Sequence, residues 1–148
     1  MAVAERWKGH PPLPADLEGR LSEVVARLRG AGAGLVYLFG SAAQRRGEGH
    51  PPPGDLDLAV WGMDEEPWRV RADLEEVLGT DRLDLMRLEA ADPDLRFEVV
   101  ACGRLLFSEG PALENAFEAK VLREYRDLAP FRRVQRTYLR RRHGIDGP

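Results

Sequence analysis

Leu35-Val36-Tyr37-Leu38-Phe39 is a run of five apolar, mostly strand-forming residues with glycines on both sides, ending directly in Gly40-Ser41. A run this short, rich in β-branched and aromatic residues, predicts a strand buried on both faces rather than a helix. A second stretch, Asp55 to Trp61, alternates, with Leu56, Leu58 and Val60 pointing one way and Asp55 and Asp57 the other. Leu83 to Leu88 repeats the pattern, with Asp84 between Leu83 and Leu85. A chain with these strands must build a sheet and cover it.

Helical spacing supplies the cover. Leu17, Leu21, Val24, Val25 and Leu28 recur at helical intervals after Asp16, a candidate N-cap, and before Gly30. Pro67 opens a second helix to about Leu78, with Val70, Leu74, Val77 and Leu78 as its apolar face. Asp92-Pro93 starts a short helix to about Ala101, and Arg104 to Phe107 reads as a last strand. From Pro111 to His143 the pattern is helical, with a break expected near Pro130 because an interior proline removes a hydrogen bond. Ala42 to Arg46 reads as a helical turn, and Gly47 to Gly54, with three prolines, as a loop. The order is α, then β-β-α-β-α-β-α. That predicts an α/β (α+β) domain with a small mixed β-sheet flanked by helices and a long C-terminal helical segment. The expected division is an irregular lead-in over 1–15, a core over 16–110 and a basic helical segment over 111–148.

At 148 residues the chain has the size of one domain, and its apolar and charged fractions of 43% and 32% suit a soluble globular protein. Its apolar runs are too short to span a bilayer and no cleavable signal follows the N-terminus, so a cytoplasmic location is expected. Cys102 is the only cysteine, which excludes an internal disulfide and a cysteine zinc site. Charge is uneven: residues 1–119 sum to −9 and residues 120–143 to +7. The basic segment reads equally as a solvated helix face or as a surface for phosphate or an acidic protein. Of the basic side chains 20 are Arg and 2 are Lys, a bias that says little about function.

Three features carry chemistry. Gly40-Ser41 closes a buried strand, where glycine lets the backbone approach a phosphate and the turn N–H groups and Ser41 hydroxyl can donate to it. Alone, Gly-Ser after a strand is an ordinary turn. Period-two geometry projects Asp55 and Asp57 from one face with Cα atoms roughly 6–7 Å apart, a spacing of hard oxygens that suits Mg²⁺. An isolated Asp-x-Asp is more often a solvent-facing acidic pair. Asp84 joins them if its strand lies beside theirs, and could then share a metal or deprotonate an attacking hydroxyl. Asp81 competes for that role but suits a turn better.

Together, Leu38-Phe39-Gly40-Ser41-Ala42-Ala43 and Asp55-Leu56-Asp57-Leu58-Ala59-Val60 resemble the signature of the polymerase-β-like nucleotidyltransferase superfamily, and Leu83-Asp84-Leu85 resembles its third-carboxylate strand. Short length, Leu95-Arg96-Phe97 and Gly103-Arg104-Leu105-Leu106-Phe107 look like the minimal nucleotidyltransferase (MNT) branch; the resemblance covers about residues 17–143. It departs in two places. Thirteen residues, Ala42 to Gly54, separate the serine from the first aspartate where the family has about ten, which a surface loop absorbs at little entropic cost. This leaves the match of a phosphate-contacting arginine open between Arg45 and Arg46. Gly54 stands where the family often has serine.

The resemblance implies that Gly40 and Ser41 bind the β/γ phosphates of an NTP. It implies that Asp55, Asp57 and Asp84 hold two Mg²⁺ ions, and that Asp84 orients or deprotonates the acceptor. For the MNT branch it further implies transfer of AMP from ATP to a tyrosine of a partner HEPN ribonuclease toxin, with this chain as antitoxin. A hetero-oligomer and no direct nucleic-acid binding follow. A catalytically silent antitoxin that masks the toxin, and a free-standing nucleotidyltransferase for a small molecule or RNA end, are the alternatives. Arg136 and His143 mimic the R-x₄₋₆-H spacing of HEPN ribonucleases, but in a stretch this basic the match is easily fortuitous, and an α/β chain is not an all-helical toxin. His10 and His50 read as plain surface residues, and Trp7, Trp61 and Trp68 as packing residues before base-stacking ones.

Overall fold

The computed structural model describes residues 5–43 and 54–144. Its elements are α1 (Leu17–Gly30), β1 (Leu35–Phe39), β2 (Leu56–Trp61), α2 (Pro67–Leu78), β3 (Leu83–Arg87), α3 (Pro93–Cys102), β4 (Arg104–Ser108), α4 (Pro111–Asp127) and α5 (Ala129–His143). The predicted α/β order and mixed sheet are those observed. Asp16 does not cap α1 through its side chain, which pairs with Arg20 instead, whereas Asp92 caps α3 by accepting from Leu95 N. The expected break near Pro130 falls at Leu128, between α4 and α5. Residues Gly40–Ala42 form a 3₁₀ turn that continues to Ala43; residues 44–46 of the expected turn, and the loop to Pro53, lie outside the described residues.

The sheet order is β3-β2-β1-β4. β1 is antiparallel to both β2 and β4, while β2 and β3 are parallel, joined through α2. Alternation sorts the side chains into two cores. Val36, Leu38, Leu56, Leu58, Val60 and Leu83 face α1 and α2. Leu35, Tyr37 and Ala59 face the other way, onto Val99 of α3 and Phe117 and Val121 of α4. Asp55 and Asp57 lie on this second face, so the acidic side of β2 is covered by helices farther along rather than left to solvent. Trp61 packs there on Phe117, with ring centroids 5.0 Å apart. Trp68 is exposed.

α5 buries no residue. It is tied down by Arg132, which donates to Asp94 at 2.9 Å and lies over the Tyr125 ring. Six arginines and no acid occupy it, and Phe131, Val134, Tyr138 and Leu139 are exposed along it. Among the described residues no helix is long and apolar enough to cross a membrane.

Candidate active site

Register assembles the site. In the parallel β2–β3 ladder Asp57 stands opposite Asp84, and in the antiparallel β1–β2 ladder Asp57 stands opposite Phe39, the residue before Gly40. The acid of one strand thereby meets the carboxylate of the next and the glycine turn of the previous one. Asp55 lies one residue before β2, whose first N–H, at Leu56, donates to Arg82 O. One carboxylate oxygen from each of Asp55, Asp57 and Asp84 lies within 4.8 Å of the others.

Three acids this close repel one another. Burial pushes the Asp57 carboxyl up to about 7, and the neighbouring charges of Asp55 and Asp84 push the same way, against a smaller pull from Arg6. Donor chemistry and spacing fit a hard divalent cation, which binds one or two carboxylates and leaves coordination for phosphate. A cationic group already stands there: Arg6 Nη2 donates to Asp55 Oδ2 at 3.3 Å and to Asp84 Oδ2. The metal group therefore suits the residues present.

Gly40 has φ +72°, and a Cβ on it would overlap Asp57 Oδ2. Only glycine combines that backbone with that proximity. The Gly40–Ala42 turn follows, with Ala43 N donating to Gly40 O at 3.2 Å, and carries part-exposed Ser41 beside the acids.

A family model for polymerase beta nucleotidyltransferases matches residues 31–111, more than half of the chain and the whole span from the strand before Gly40 to the start of α4. The chain belongs to the polymerase beta nucleotidyltransferase family. Among solved structures this nucleotidyltransferase is similar to the MNT antitoxin complex of Shewanella oneidensis that holds a tri-AMPylated HEPN toxin. There the identity is 24% and the TM-score 0.66, covering 82% of this chain and 97% of the other. It is similar also to a toxin–antitoxin structure with AMP-PNP, at 25% identity and TM-score 0.65, covering 80% and 96%. No curated protein matches the sequence.

The three acids and the glycine turn were legible in the sequence as candidates; what surrounds them was not. The lead-in, read as irregular, closes on the acids through Trp7, which is 6% exposed and donates from Nε1 to Asp55 Oδ2 at 3.1 Å. His10, read as a plain surface residue, instead bonds Asp81 at 2.7 Å, and this partner holds the Asp81 carboxyl below its usual range. That contact engages Asp81 away from the triad. The one hint was composition: Trp7 and Leu13 are large apolar residues in a proline-rich stretch, and both are buried. Arg45, Arg46 and His50 lie outside the described residues.

Proposed function

We propose that this nucleotidyltransferase moves AMP from ATP to a tyrosine hydroxyl of a HEPN-type ribonuclease and acts as that toxin's antitoxin. The observation that carries the reading is the convergence of Asp55, Asp57 and Asp84 beside the Gly40-Ser41 turn. It is supported by the likeness to a complex whose toxin is tri-AMPylated. Residues 16–110 hold the catalytic core, and the basic segment over 111–148 faces the partner in a hetero-oligomer.

Asp55, Asp57 and Asp84 would hold two Mg²⁺ ions, which when bound supply neutralisation of the triphosphate and acidification of the acceptor hydroxyl. The protein's own groups do the rest. Gly40 and the turn after it offer N–H groups and the Ser41 hydroxyl to the β/γ phosphates. Asp84, at the more open edge of the triad, accepts the phenolic proton as the tyrosine oxygen bonds the α-phosphorus. The bond from that phosphorus to the β-phosphate oxygen breaks, and pyrophosphate leaves with the electron pair.

Intact-protein mass spectrometry of the partner after incubation with ATP and Mg²⁺ tests the reading. Each transfer adds about 329 Da, the mass of an adenylyl group. A partner that is inhibited but unmodified would overturn transfer and leave masking; transfer to a small molecule or RNA end with the partner absent would move the acceptor elsewhere.

A further inference from the structure

The N-terminal segment is strapped across the acidic site. Arg82, at the entrance of β3, donates to the carbonyls of Trp7 at 3.2 Å and His10 at 2.8 Å. Thr80 donates to the Pro11 carbonyl, and His10 is tied to Asp81. Trp7, the first of these tied residues, is buried, whereas the Arg6 side chain is 57% exposed while spanning Asp55 and Asp84. A buried anchor thus carries a cation on a long, solvent-exposed arm.

We propose that Arg6 is a built-in competitor for the divalent cation: its guanidinium occupies the place between Asp55 and Asp84 that a metal needs, and metal loading requires it to swing out while Trp7 keeps the strap attached. This inference rests on the reading of the triad as a divalent-cation site. Three physical points support it. A guanidinium and a divalent ion satisfy the same two carboxylates and repel each other. Exposed ion pairs contribute little to stability, and the guanidinium's place over the Trp7 ring, 4.7 Å from its centroid, adds only a modest attraction, so a divalent ion can displace the arm. The buried indole, holding Asp55 by its N–H, keeps that carboxylate aimed at the site whether Arg6 is in or out. The strap would then set the metal concentration at which the site loads.

Mn²⁺ binding to the intact chain, read by the loss of free-ion electron paramagnetic resonance signal without nucleotide, tests this. Arg6→Ala and Arg6→Gln should each bind Mn²⁺ more tightly than wild type, by about five-fold or more, from removal of one nearby positive charge. Arg6→Lys should stay near wild type, and unchanged thermal melts would show all variants folded. Equal or weaker Mn²⁺ binding by both neutral variants, with wild type binding well, overturns the competitor role alone. If neither wild type nor the variants bind Mn²⁺, the metal-site reading falls and this inference with it.

Discussion

Gly40 and Asp57 share one small volume: the backbone of the first, at φ +72°, runs where only a missing side chain lets the carboxylate of the second stand. The glycine turn after β1 and the central acid of the triad are therefore one packed unit. A substitution at either changes both.

Gly40→Ala should cost about 1 kcal/mol or more of stability, because alanine is strained at positive φ and its Cβ displaces Asp57. Gly40→Val should do worse, and its lost ATP binding would report a moved carboxylate as well as a blocked backbone. Urea midpoints together with Mn²⁺ affinity check this. Normal metal binding in Gly40→Ala would show that Asp57 has room to move.

Asp57 makes the metal-free protein pH-sensitive in a definite direction. Its carboxyl titrates near 7 in the fold, against about 4 in the unfolded chain. Between those values the folded chain keeps a proton that the unfolded chain has lost, so this contribution is full at low pH and lost as pH rises through 7. Denaturation in EDTA should show that slope, and Asp57→Asn should flatten it. Because a cation needs the ionised acid, Mn²⁺ affinity should rise from about pH 6 to pH 8 in wild type and be lost in Asp57→Asn.

Asp84→Asn should leave ATP binding in place and lower transfer by about 10²–10⁴-fold, since an amide cannot take the phenolic proton. Calorimetry for binding and partner mass for transfer separate the two effects. Transfer at the wild-type rate would assign the base to another group.

Reversing Arg133, Arg136 and Arg140 to Glu on α5 should slow association with the partner, and more at low salt than at high, because exposed charges steer encounter and are screened. Stopped-flow association at two ionic strengths measures this. A rate independent of salt would remove α5 from the docking surface.

Much of this molecule was present in local sequence. Alternation put Asp55 and Asp57 on one face, prolines 67, 93 and 111 marked the starts of three helices, and the glycines around Leu35–Phe39 bounded the strand that ends at the turn. These are short-range properties, set by backbone geometry and side-chain period. Which strands become neighbours is not. The parallel pairing that sets Asp84 opposite Asp57 depends on β2 lying between β1 and β3, a choice made when Leu56, Leu58 and Val60 bury against α1 and α2 together. The closeness of Gly40 to Asp57 follows from the same ladder. So does the docking of the lead-in, where Arg6 and Trp7 reach partners 48 to 78 residues away through charge and burial that no local pattern encodes. The sequence by itself determined which residues could form the site; packing across the sheet decided that they meet, and that an arginine meets them there.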